Sequence, residues 1–86
     1  MNTTQKSYRF CIEPTDPLAT LEQVLAIVRR LGVELHGLRT TATPQGLDVL
    51  LRLAAEEEDP LTLCRMRLHN VIGVGAIRLI TAPTST

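Results

Sequence analysis

Aromatic side chains are almost missing from this 86-residue chain: there is no tryptophan, one tyrosine (Tyr8) and one phenylalanine (Phe10). A core must therefore be aliphatic, and a nucleic-acid platform of stacked aromatic rings has poor support. Net charge is missing as well. Nine basic and nine acidic residues cancel, which argues against nucleic-acid binding through a bulk positive field. Cysteine is limited to Cys11 and Cys64, with no C-x-x-C spacing, so both read as small buried hydrophobes rather than a disulfide or metal pair. No apolar run approaches membrane-spanning length, and the opening MNTTQKSYRF contains no apolar signal core. The chain is expected to be soluble and cytoplasmic, with neither a membrane nor a nucleic acid as partner.

Catalytic apparatus is equally scarce. The two histidines, His36 and His69, stand apart from any serine motif, cysteine or second ligand. No glycine-rich phosphate loop exists, because Gly73-x-Gly75 is too short and opens a strand rather than a helix. These absences leave no residues for catalysis, metal binding or a cofactor on this chain.

What is present is strong patterning. Tyr8, Phe10 and Ile12 alternate with Arg9, Cys11 and Glu13, which is strand spacing over residues 8–13. Asp16 and Pro17 then form a helix opening, an acid at the cap and a proline at the first helical position. Thr20 with Gln23 is a competing capping box. Leu21, Val24, Leu25, Val28 and Leu31 share one helix face, and Gly32 closes the helix. A second strand follows over residues 33–41, then a hairpin turn at Thr43-Pro44-Gln45-Gly46, then a third strand over residues 47–54. Glu56 to Pro60 repeats the acid-then-proline opening and predicts a second helix from Pro60 to about Val71, with Leu61, Cys64, Leu68 and Val71 inward. A fourth strand is predicted over residues 76–81.

Strand, helix, strand, strand, helix, strand, with right-handed crossovers, makes an α+β ferredoxin-like βαββαβ plait. It predicts a four-stranded antiparallel sheet in the order 4-1-3-2 with both helices on one face. The domain is expected over residues 8–81, with flexible tails at 1–7 and 82–86. Leu47, Val49, Leu51 and Leu53 face the helices. By the same alternation Leu38, Leu50 and Ile80 face away, with Val74 a further candidate. A sheet face carrying these side chains is expected to be greasy enough to need a partner. A domain of this size, 44% hydrophobic, is often marginal alone, so a homodimer or complex through that face or a sheet edge is expected.

The series TLEQVLAIVRRLG, VELHGL, LDVLLRL and LCRMRLHNVIGVGAI resembles an ACT domain, and more narrowly the small regulatory subunit of acetolactate synthase, isozyme II type. The resemblance covers about residues 8–80. It implies a non-catalytic, activating subunit in branched-chain amino-acid synthesis. The partner would be a catalytic large subunit carrying thiamine diphosphate, magnesium and FAD. It also implies an allosteric pocket for an amino-acid effector, at Asp16, Leu18, Ala19 and Glu34, in a dimer interface. Family members that sense valine have asparagine and glycine where this chain has Asp16, Ala19 and Glu34. Two carboxylates repel a ligand carboxylate, so weak or absent valine sensitivity is expected. Candidate partner contacts are Asp16, Leu18, His36, Arg39 and the pair Arg29 and Arg30. The alternative from another class is a free-standing ACT-like sensor, in which Asp16 and Glu34 select a cationic or amine-bearing metabolite.

Overall fold

The computed structural model describes residues 3–80. Six elements follow one another: β1 (Thr4–Ile12), α1 (Pro17–Leu31), β2 (Glu34–Thr43), β3 (Gly46–Ala55), α2 (Glu58–His69) and β4 (Arg78–Ile80). The strands form one sheet in the order β2-β3-β1-β4, and every pairing is antiparallel. Tyr8, Phe10, Ile12, Val49, Leu51 and Leu53 of the central strands are buried in one cluster with Val24 and Val28 of α1 and Leu61, Cys64 and Leu68 of α2. One shared cluster means both helices cover the same sheet face. The chain is thus a ferredoxin-like βαββαβ plait, and among the described residues nothing covers its other sheet face.

Helix α1 opens as its sequence dictates. Asp16 is the cap, its Oδ1 accepts the Ala19 N–H at 3.3 Å, and Pro17 occupies the first turn. Gly32 ends it in the left-handed conformation at φ 71°, its N–H bonded to the Arg29 carbonyl at 3.2 Å. Helix α2 opens differently. Its cap is Glu57, which makes no side-chain capping bond, and the helix starts at Glu58, so Pro60 is its third residue rather than its first. Proline is tolerated there because the first four helical N–H groups lack intrahelical acceptors anyway. The helix stops at His69. Val71 continues as a tighter turn, its N–H bonded to the Leu68 carbonyl at 3.1 Å, and remains buried.

Three expectations need correction. Strand β1 begins at Thr4, so residues 4–7 are not tail: they pair with Arg52 through Ala55, and Lys6 Nζ reaches Glu58 at 3.2 Å. Polar side chains hid this stretch, because strand pairing uses the backbone. Strand β4 starts later than expected, at Arg78 rather than Ala76, and ahead of it the described residues hold an isolated bridge from Val74 to Ile12. The expected end of that strand at Thr81 and the expected 82–86 tail lie outside the described residues.

The third correction concerns the uncovered face. Between Leu35 and Gly37 the β2–β3 register shifts, leaving His36 without a partner in the ladder. One extra residue in a strand reverses the facing of everything beyond it. Leu38 therefore pairs with Leu51 and faces the helices, half-exposed at 39% because β2 is an edge strand. Val74 bridges Ile12 and packs against the core, so it too faces inward. Leu50 and Ile80 do point outward, since Leu50 pairs with Arg9 and Ile80 with Ser7.

Candidate functional site

Opposed residues in an antiparallel ladder share a face, so the register assigns the uncovered face residue by residue. One row crosses all four strands: Arg39 of β2, Leu50 of β3, Arg9 of β1 and Arg78 of β4. The row below it holds Gly37, Arg52, Ser7 and Ile80. The row above holds Thr41, Asp48 and Cys11. Four arginines stand among few apolar side chains, and all four are exposed. The greasy outer layer expected from the sequence is not there; the layer is polar and basic. The bulge is part of the reason, because it turns Leu38 inward and brings Arg39 outward.

One ion pair and one histidine–carboxylate contact organise this face. Arg9 donates to Asp48 through Nη2 to Oδ2 at 2.8 Å and Nε to Oδ1 at 3.4 Å. That bond holds the Asp48 carboxyl below its ordinary range, with Arg9 and Arg78 charge adding to it against a desolvation penalty, and raises the Arg9 guanidinium further. At the other end of β2, His36 Nε2 lies 3.0 Å from Glu34 Oε1. A recess of about 540 Å³ opens beside the first pair, lined by Arg9, Cys11, Thr43, Gln45, Asp48 and Arg78. The β2–β3 turn contributes Thr43 and Gln45 to that lining, and there Thr43 Oγ1 donates to the Gly46 carbonyl at 3.1 Å and accepts the Gln45 N–H at 3.2 Å. Two guanidiniums around one carboxylate can bind anionic groups. Among the described residues no group of three or more His, Cys, Asp or Glu side chains is placed to hold a metal.

The residues expected to form an effector pocket do not meet within one chain. Asp16, Leu18 and Ala19 lie together at the start of α1, and Glu34 lies just past its end. Fifteen helical residues separate the two groups by about 22 Å. Asp16 is also occupied: besides the cap bond, its carbonyl accepts the Thr20 N–H at 3.2 Å and the Thr20 hydroxyl at 3.3 Å. Leu18 is 71% exposed and Ala19 half-buried. Glu34 instead borders a recess of about 360 Å³ with Glu56, Glu57 and Pro60.

The expected interface residues divide similarly. Leu50 and Ile80 are on the uncovered face, whereas Leu38 is on the helix side. Arg29 and Arg30 are exposed in the last turn of α1, where cations suit the negative helix end. Sequence reasoning named Arg39 but missed Arg9 and Arg78 as members of one cluster. Alternation alone could have found them, since Arg9 lies between Tyr8 and Phe10, both inward.

No protein-family model and no curated protein matches the chain. Among solved structures it is similar to the ACT domain from GTP pyrophosphokinase of Chlorobium tepidum, at 15% identity and TM-score 0.77 over 92% of this chain and 100% of that one. It is also similar to the de novo designed protein Foldit4, at 15% identity and TM-score 0.72 over 95% and 100% of the two chains. A third likeness is to the C-terminal domain of the MgtC protein from Mycobacterium tuberculosis, at 15% identity and TM-score 0.70 over 95% and 90%. These likenesses show the fold, a plait of the kind that ACT domains have. Since one of the three was designed, the fold by itself carries no function.

Proposed function

We propose that this chain is a non-catalytic regulatory module of the ACT kind, and specifically the activating small subunit of an acetolactate synthase, weakly sensitive or insensitive to valine. The observation that carries the proposal is a coincidence of two likenesses. The resemblance to the small subunit covers about residues 8–80, and that stretch lies within a plait that matches an ACT domain over 92% of this chain and 100% of that one. Thiamine diphosphate, magnesium and FAD would belong to the catalytic chain. This chain would act by holding that partner in its competent arrangement, a coupling of about 1–3 kcal/mol.

The expected reason for association changes. A greasy outer sheet cannot supply it, because that face is polar. Half-exposed aliphatic side chains lie instead on the helix side of the edge strand β2, at Leu35 and Leu38. A homodimer formed along this edge would bury them and would bring the α1 start of one copy toward the other. That is the arrangement in which Asp16, Leu18 and Ala19 could complete an effector pocket.

The test is co-expression with an acetolactate synthase large subunit and an acetolactate assay with and without this chain. The expected result is co-purification and several-fold activation that sub-millimolar valine leaves intact. Neither co-purification nor activation with any large subunit tried would remove the specific reading. The free-standing sensor is favoured by one observation, the recess in which Glu34, Glu56 and Glu57 converge. A thermal shift with amine-bearing metabolites, in the absence of any partner, would select it.

A further inference from the structure

We infer that the uncovered sheet face is a docking surface for an acidic protein surface, gripped by Arg39, Arg52 and Arg78 around the Arg9–Asp48 pair. Formal charge over the whole chain is zero, yet four of its nine basic residues stand on this one face. The acids beside them are already engaged, Asp48 by Arg9 at 2.8 Å and Glu34 by His36 at 3.0 Å. Arg39, Arg52 and Arg78 have no ion pair among the described residues. Arg9 and Arg78 are directly opposed across β1 and β4. Like charges so placed are destabilising, and an incoming carboxylate relieves the repulsion. Guanidinium is suited to this, because its planar fork meets a carboxylate with two parallel bonds.

The spread of the charges selects the class of partner. The row from Arg39 to Arg78 crosses three inter-strand gaps, about 14 Å. That is too wide for one small anion and suits a patch on a folded surface. Leu50 lies within the row and Ile80 beside it, giving a protein partner apolar contacts between the charges. Nucleic acid fits less well. The two aromatic residues, Tyr8 and Phe10, are only 2% and 3% exposed and face the helices, so bases find no stacking platform, and Asp48 repels phosphates. A second copy meeting through the same face would set arginine against arginine.

This inference deepens the regulatory reading by naming the surface and the chemistry of its partner. The direct test uses the full chain and a soluble peptide of glutamate and leucine, with a lysine–leucine peptide and oligouridylate as comparison arms. Binding is followed by amide chemical shifts and by fluorescence anisotropy at low salt, because screening weakens exposed pairs. The expected result is binding of the acidic peptide alone, with shifts centred on Arg9, Leu50, Arg52 and Arg78. The double variant Arg39→Glu, Arg52→Glu should keep its thermal midpoint and lose affinity at least about tenfold. Shifts confined to the helices, affinity unchanged by charge reversal, tighter binding of oligouridylate at the same residues, or self-association that the variant abolishes would each overturn it. The co-expression assay separates the two ideas. Activation that survives the double variant removes this surface and leaves the subunit reading. Peptide binding without activation of any synthase does the reverse.

Discussion

Gly46 offers the most direct check on how the hairpin seats against β1. It follows the two-residue turn Pro44-Gln45 and has φ 138°, a backbone conformation L side chains rarely adopt. A Cβ there would intrude on the Ile12 carbonyl oxygen well inside 3.0 Å, and would lie 3.1 Å from the Ile12 carbonyl carbon and 3.3 Å from the Glu13 Cα. All three atoms are backbone, so no rotamer change relieves the clash. Gly46→Ala therefore carries two costs. Forcing alanine into this conformation costs about 1–3 kcal/mol. Pushing β1 aside costs about 1–3 kcal/mol more, the range for overpacked sites. Gly32→Ala is the matched control. Gly32 has φ 71° with nothing within 4 Å of an added Cβ, so only the left-handed penalty applies, about 1–2 kcal/mol. Urea unfolding of both variants, with unchanged m, measures the difference. At about 4–8 °C per kcal/mol for a domain of this size, thermal melts should separate them clearly. If the two variants unfold at the same midpoint, the close approach of the turn to Ile12 is wrong.

Four further outcomes are expected. Leu51→Ala, at a fully buried position, should cost about 2–5 kcal/mol, whereas Leu50→Ala, its neighbour on the open face, should cost about 1 kcal/mol or less; equal costs in denaturant melts would contradict the assigned alternation. Asp16→Ala should lose about 0.5–2 kcal/mol with its cap bond, and Glu57→Ala should stay within about 0.5 kcal/mol of the parent, because Glu57 makes no such bond. Burial pushes the Cys64 thiol from 9.0 up to about 11. A group whose folded pKa is raised contributes stability that is complete below its unfolded value and lost as pH climbs through the folded one. Stability should therefore fall between pH 9 and 11, and Cys64→Val should flatten that fall. Tyr8, raised by burial and then by Cys64, adds a loss of the same sign at higher pH. In the native state iodoacetamide should alkylate Cys11 and spare Cys64 until the chain unfolds.

Much of the architecture was legible because it is encoded locally. Asp16-Pro17 and Gly32 bracket α1, since a capping carboxylate, a first-turn proline and a left-handed glycine act through bonds within a few residues. Val49, Leu51 and Leu53 announced the buried side of β3 by period two. Where local signals were silent or duplicated, the reading went astray. Thr4–Ser7 carry no apolar pattern, yet their backbone completes the ladder to Ala55. Glu56 to Pro60 copies the earlier helix opening, yet the helix starts at Glu58, with Glu57 at the cap making no side-chain bond and Pro60 its third residue. For the candidate site, Arg39 carries no local sign of the arginines it stands beside, and Asp16, Leu18 and Ala19 lie at the opposite end of α1 from Glu34, so a pocket shared by these residues calls for a second copy of the chain.

Taken alone, the order of residues determined which segments coil, which extend and which side chains are apolar enough to be buried, because those preferences arise from neighbours three, four or two positions away. It could not determine what the open side of the sheet presents. That depended on one unpaired residue, His36, whose insertion reverses the facing of the rest of β2, and on β1, β3 and β4 lying side by side so that arginines distant in the chain stand in one row. Both follow from pairing between strands, which hydrogen bonds between remote backbones decide and no short window of sequence records.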